Sequence, residues 1–182
     1  MSEETIVRQA APTLAGIKTG SMFPYRYESR EELLEDIRAF NRIFVPRGMC
    51  LLLLRVMEKS ALLYLYRPQS LERDLQDNLS QEVLQESGYN CCSCAACVRH
   101  LVERFRAEQD FPHEVGLFLS YPPADVKGFI DDRDNYKRIS LWKIYGDEER
   151  AQKLCEQFKK CSECYCRLWE NGVGLEKLVV AV

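Results

Sequence analysis

A double proline, Pro122-Pro123, stands between an apolar run and an amphipathic one, and it restricts this 182-residue chain more than any other feature. Neither ring can donate to a β-ladder, so the element before it must end there. Pro123 suits the first turn of a helix running through Asp125 to Phe129, with Asp125 near the positive end of that helix. Upstream, Phe111 precedes Pro112 and is biased to an extended backbone. Residues 115–119 are short, apolar and partly β-branched or aromatic, which predicts a buried strand with Gly116 at a bulge or close backbone approach. Residues 111–130 are therefore expected to fold as strand, sharp turn and short helix.

The rest of the chain supplies elements of both kinds. Ser2 opens a helix that Pro12 interrupts or kinks. Ser29 with Glu32 forms a capping box ahead of Leu33, Leu34, Ile37, Phe40 and Phe44, and Pro46-Arg47-Gly48 stops that helix. Residues 50–56 and 61–66 are two apolar runs that read as an antiparallel hairpin. Leu71, Leu75, Leu79 and Val83 mark one or two helices ending near Gly88, and Val98, Leu101, Val102 and Phe105 mark another. Residues 139–145 read as a strand, Gly146-Asp147 caps a helix with Ala151, Leu154, Cys155 and Phe158 on one face, and residues 178–182 read as a last strand. The pieces segregate instead of alternating, so the expectation is α+β: a single compact domain over residues 1–182, with a small, mainly antiparallel sheet of about five strands and about five to seven helices.

Charge and hydropathy narrow the function classes. Basic residues number 25 and acidic residues 28, a net charge of −3 with the signs interspersed. That balance argues against nucleic acid or an anionic membrane surface as partner. The first residues are acidic and carry no secretory pattern, and the most apolar run, 49–54, is far shorter than a membrane span. A cytoplasmic protein is expected, with a small molecule or another protein as its partner.

Nine cysteines are many for such a chain. Cys91, Cys94 and Cys97 give two overlapping C-x-x-C spacings, and the cluster Cys161, Cys164 and Cys166 gives a third. Two such pairs brought together by the fold can complete a zinc or iron–sulfur site. The alternative is a set of reduced, partly buried thiols, with Cys50 and Cys155 as plain core. A dithiol redox role is a further reading, because Cys94 and Cys97 fall at the start of a helix whose dipole lowers a thiol pKa.

Other candidates are fewer. His113 and Glu114 are an adjacent pair that invites an acid–base reading, and with a cysteine they define a hydrolase or transferase alternative. On a strand they would face opposite sides, so only one of them could meet a substrate atom. Residues 16–21, Gly-Ile-Lys-Thr-Gly-Ser, hold a lysine and two hydroxyls between glycines, but the lysine precedes the second glycine, which is the wrong order for a nucleotide phosphate loop. They read as a helix-terminating turn with an exposed lysine, or as an anion cradle using Lys18 and Ser21. Tyr64, Tyr66, Phe118, Tyr121, Trp142 and Tyr145 read mainly as core, although tyrosines at element ends can floor a cleft.

Residues 111–130 resemble the signature FPHE(I/V)GLFLGYPxxDVKGFI of DUF3793, a family of small bacterial proteins with no assigned activity. Residues 12–23 are similar to a second block of that family, PTLAGxKxxxxF, before which the family often carries a cysteine where this chain has Ala10 and Ala11. Residues 141–149 are similar to a WKVYGDEE block. The resemblance runs from Pro12 to about Gly172. It implies that a shared function does not depend on Cys91 to Cys97, since Cys161 and Cys166 match the family better. The family-like blocks carry glycines, prolines and apolar residues with few convergent nucleophiles or bases. The leading expectation is thus a non-catalytic module whose binding surface joins Lys18 to the turn 120–123, with Lys18, Ser21, His113, Tyr121 and Asp125 as candidate contacts. A thiolate metal or redox protein is the rival.

Overall fold

The computed structural model describes residues 1–90, 93–107 and 111–181. The chain is α+β. A first helix, α1 (Glu3–Leu14), leads into β1 (Gly20–Arg26), and α2 (Arg30–Phe44) with a 3₁₀ turn at Val45–Arg47 leads into the hairpin β2 (Cys50–Val56) and β3 (Ser60–Tyr66). Helices α3 (Pro68–Leu75), α4 (Asn78–Glu86), α5 (Cys94–Ala107), α6 (Val115–Phe118) and α7 (Pro123–Asp131) follow. The ribbon β4 (Arg138–Ile139) and β5 (Lys143–Ile144), the long α8 (Glu148–Glu170) and the single turn α9 (Leu175–Leu178) complete the order.

Strand β3 is the centre of a three-stranded antiparallel sheet of order β1-β3-β2, with Phe23 opposite Leu63 on one side and Leu53 opposite Leu63 on the other. Both faces of β3 are covered, which is why its sequence is nearly continuous in apolar residues instead of alternating. Ala61, Leu63 and Leu65 pack with α1, α2 and α9 in one core. Tyr64 and Tyr66 point the other way, into a second core built by α3 to α7. A bulge between Leu53 and Arg55 leaves Leu54 as the extra residue, and Leu54 joins that second core. A smaller cluster joins Trp142 and Ile144 to Ala151, Cys155 and Phe158 of α8.

Local chemistry explains most element ends. Ser29 accepts from the Glu32 amide and caps α2, and Asp147 does the same for α8 through the Arg150 amide. The cap of α1 is Ser2, and α1 passes through Pro12 by means of a kink at Ala10. Its far end is a full Schellman turn: Gly16 is left-handed, its amide donates to Thr13 O, and Ile17 N–H donates to Pro12 O.

Three sequence expectations are corrected. Residues 115–119 form no strand; they turn as α6, with Val115, Gly116, Leu117 and Phe118 all buried. A run that is apolar on every side has no helical or strand period to read, so β-branching misled there. Residues 139–145 are not one strand either, but the tight two-stranded ribbon β4–β5, pairing Arg138 with Ile144 and Ile139 with Lys143. The tail is a turn of helix followed by irregular chain whose Val180 amide donates to Leu14 O. Conversely, β1 was not anticipated at all. Helices among the described residues number nine, two of them single turns of four residues, against the five to seven expected.

Gly20, the first residue of β1, marks where two layers touch. A Cβ there would lie 2.5 Å from the Phe118 carbonyl oxygen and 2.5 Å from the Tyr64 ring. Those two groups are already bonded to each other, Tyr64 OH donating to Phe118 O at 2.7 Å. Gly20→Ala is expected to destabilise the protein by about 2–4 kcal/mol in urea unfolding, because a backbone atom must move to admit the methyl; a loss under half a kcal/mol would show that the two layers are not locked at this point.

Candidate functional site

The α1–β1 turn, the facing ends of α3 and α4, the α6–α7 corner and the first turns of α8 enclose a cleft of about 690 Å³. Lys18, Thr19, Asp74, Ser120, Tyr121 and Arg150 are the residues on its wall that matter for chemistry.

The cleft is fixed by two helix ends that meet head to head. Gly16 terminates α1, and α6 ends in the same kind of turn, with Tyr121 N–H donating to Gly116 O at 3.0 Å. The left-handed position there is Ser120, φ 60°, where a glycine would be free of strain. Its hydroxyl compensates: Ser120 Oγ accepts from the Thr19 amide at 2.6 Å and bonds the Asp74 carboxylate, and the Thr19 hydroxyl donates to the same carboxylate. Burial raises the Asp74 pKa, while the Thr19 bond, Arg73 and the Ser120 bond oppose the rise.

Lys18 is the anomaly. Its side chain keeps partial exposure, yet its ammonium lies 5.8 Å from the centre of the Tyr121 ring and 5.6 Å from that of Phe158. Among the described residues it makes no hydrogen bond or ion pair. Loss of hydration at this position lowers its pKa from 10.5 to about 8. The expected exposed lysine is therefore a desolvated one, lining both the main cleft and a shallower cavity on the α1–α8 side. The glycines around it act as the helix-ending turn and the close approach at Gly20, not as a phosphate loop.

The carboxylates of the cleft are all committed. Asp77 accepts from the Leu79 and Ser80 amides as the cap of α4, Asp147 caps α8, and Asp74 holds its two hydroxyls. Lys18 and the Arg150 side chain have no such partner among the described residues, while Arg73 donates to Ser70 Oγ at 3.1 Å. The charged side chains of this cleft left without a hydrogen-bond partner among the described residues are thus cations, although the lining carries three carboxylates and three cations.

The remaining candidates have structural duties. Ser21 Oγ shares a buried 2.9 Å hydrogen bond with Thr13 Oγ1. Asp125, 2% exposed, accepts from Trp142 Nε1 at 2.7 Å, Tyr145 N at 2.8 Å and Gly146 N at 2.7 Å, tying α7 to the ribbon and to the start of α8. Glu114, also 2% exposed, pairs with Arg104 at 2.9 Å and accepts from Tyr89 OH at 2.9 Å. His113 and Glu114 sit ahead of a helix, not on a strand, and they part company: His113 is exposed, 2.5 Å from an Arg133 nitrogen and edge-on to Phe129. His113, Tyr121 and Asp125 border a second, smaller and largely apolar cavity of about 350 Å³, so Tyr121 is the wall between the two.

The cysteines are dispersed. Cys94 and Cys97 belong to α5, where Cys97 is core; Cys161, Cys164 and Cys166 ride on α8. Burial pushes the Cys94 thiol up to about 11 and the Cys161 thiol up to about 11, so at Cys94 desolvation outweighs the helix dipole that would favour a thiolate. Among the described residues no three His, Cys, Asp or Glu side chains gather as a metal site requires, and Cys91 lies outside those residues. Cys50 is half-buried against Tyr66, and Cys155 is core as expected.

A family model described as a protein of unknown function, DUF3793, matches residues 6–179. The chain belongs to the DUF3793 family. The match spans the cleft from α1 to α8, so every wall of the site lies within the DUF3793 region. No curated protein and no solved structure matches this DUF3793 chain. Among the described residues no helix is long and apolar enough to cross a membrane.

An unpaired desolvated lysine costs stability, and its removal should restore some. Lys18→Met is expected to stabilise the fold by about 2 kcal/mol at pH 7, less than the full pKa shift implies because the side chain stays partly wet. The sign follows from the depressed folded-state pKa: the penalty is complete below about 8 and disappears above the unfolded value of 10.5. Urea unfolding of both proteins across that range checks it; a destabilised Lys18→Met protein would make the lysine an ordinary structural residue.

Proposed function

We propose that this DUF3793 protein is a non-catalytic module that binds a small anionic ligand, a carboxylate or phosphate compound, in the cleft between the α1–β1 turn and the α6–α7 corner. The observation that carries the reading is the imbalance of commitments on the cleft wall: every acidic side chain is spent on a hydroxyl or a helix cap, whereas Lys18 and Arg150 are left over. A partly desolvated cation such as Lys18 without a counter-ion is costly, and a ligand that supplies the missing charge recovers part of that cost on binding. Ser120 in a left-handed conformation supports the same reading, because strained backbone is retained where surrounding structure holds it for a purpose. The rival based on thiolates has less behind it, since the Cys94 and Cys161 thiols are driven toward their neutral form. A hydrolase centred on His113 lacks a partner base, because Glu114 is engaged with Arg104 and Tyr89.

The test is amide chemical-shift mapping of the full chain against a panel of small carboxylates and phosphate monoesters. At least one compound is expected to shift residues 16–21 and 117–124 together, with affinity about tenfold weaker in Lys18→Met, the usual effect of removing one charge-assisted contact. Shifts confined to other surfaces, or a Lys18→Met protein that binds equally well, would overturn the proposal.

A further inference from the structure

Lys18 suggests more than charge recognition. A site that only had to hold an anion would be served by a guanidinium or a solvated ammonium, both of which stay fully charged. Here the nitrogen lies 5.8 Å and 5.6 Å from two aromatic ring centres, with no carboxylate bonded to it among the described residues, and Lys18 lines a cleft large enough for a metabolite. We propose that Lys18 captures a small carbonyl acid, an aldehyde acid or 2-oxo acid, as a reversible imine, with the ligand's carboxylate facing the uncommitted Arg150 of the same cleft.

The step balances without any oxidant or reductant. The neutral Lys18 Nζ adds its lone pair to the carbonyl carbon; the carbonyl oxygen then leaves as water, taking both amine protons, and a C=N bond joins ligand to lysine. Hydrolysis reverses it and returns the free carbonyl compound. Flanking rings limit water near the nitrogen and so favour the imine. Desolvation also leaves a useful fraction of the amine neutral near pH 7, because its pKa falls to about 8. Among the described residues no side chain bonds the nitrogen, and Asp74 is held by Thr19 and Ser120. The inference rests on the cleft being a ligand site, and it names the ligand's chemistry.

The experiment is reductive trapping of the full-length protein with glyoxylate and cyanoborohydride, read by peptide mass spectrometry, with glycolate as the matching acid that lacks the carbonyl. Lys18 is expected to be labelled at least about tenfold faster than the exposed Lys59 and Lys159, as a lowered pKa and a carboxylate subsite together predict. Labelling should saturate with glyoxylate, be slowed by glycolate, and rise with pH through a midpoint near 8. Lys18→Arg keeps the charge and should show no selective label anywhere. If glycolate shifts the amides of residues 16–21 but Lys18 is labelled no faster than Lys59, the imine is overturned while anion binding stands. If Lys18 is labelled without saturation or glycolate protection, it is merely a reactive lysine and the carbonyl-acid site is overturned. If glycolate neither shifts these amides nor slows labelling, and no panel acid binds, both readings fall.

Discussion

Arg67 is the interaction on which the arrangement depends. It sits where β3 passes into α3, is 2% exposed, and has no acidic partner among the described residues. Carbonyls replace the carboxylate: Nε donates to Thr13 O at 2.7 Å, and Nη2 donates to Leu14 O at 2.7 Å and to Val180 O at 2.8 Å. Thr13 and Leu14 lie in the last turn of α1, the negative end of its dipole, so hydrogen bonds and field together hold the guanidinium through Nε and Nη2, while Nη1 is buried with no partner among the described residues. The Arg67 amide adds a bond to Thr19 O at 2.9 Å. One residue therefore sets the end of α1, the start of β1 and the path of the tail, and Lys18 is confined to the few residues between those anchors. A lysine at 67 would keep the charge but lose the planar fork that serves three acceptors at once.

The opposite wall is organised by Asp125 in the same economical way. Its carboxylate takes three donors from the ribbon and from the approach to α8, which brings Trp142 flat against Tyr121, ring centres 4.6 Å apart. Close packing at Gly128 completes the joint, since a Cβ there would stand 2.5 Å from Tyr145. Tyr121 is thereby fixed from behind, and its ring can border the cleft on one side and the smaller apolar cavity on the other. The sequence position of Asp125 in the first turn of α7 suggests a dipole partner; its actual work is tertiary, and only the fold brings its donors within reach.

The helices with polar signals were legible in the sequence, and the apolar turns were not. Ser29 and Asp147 announce α2 and α8 because capping is local chemistry written in neighbouring residues. The β2–β3 hairpin was readable because two apolar runs of strand length flank a short polar link. Residues 115–119 misled because their burial is complete, and a pattern needs a wet face to be visible. The cleft was half legible: the pairing of Lys18 with the turn 120–123 was expected from the glycines and prolines that punctuate both segments, and both lie on one wall system. Ser21 stands out in the sequence as a hydroxyl beside glycines and Asp125 as a carboxylate at a helix start, yet each satisfies the protein by a buried hydrogen bond. Asp74 and Arg150 were missed, since nothing in a helical period distinguishes a charged residue facing a cleft from one facing solvent.

These departures share a location. Away from the cleft local preference and tertiary packing agree at many points: Ser2 and Ser29 cap their helices, the glycines at 48, 88 and 172 take the left-handed positions, and Glu114 is paired. Around the cleft they disagree three times, with a serine in the left-handed position of a helix end, a carboxylate whose pKa is raised by burial, and a partly desolvated lysine whose ammonium has no ion pair among the described residues. The left-handed serine alone costs on the order of 1 kcal/mol, and the signature that residues 111–130 match has a glycine where this chain keeps Ser120. The serine is not idle, because its hydroxyl links the Thr19 amide to Asp74 and so holds the backbone beside Lys18. Sequences that specify a fold consistently tend to break their own rules where they bind or react. The three breaks line one cleft, and their sharing of that wall, more than any single shifted group, sets the cleft apart from the protein's other hollows.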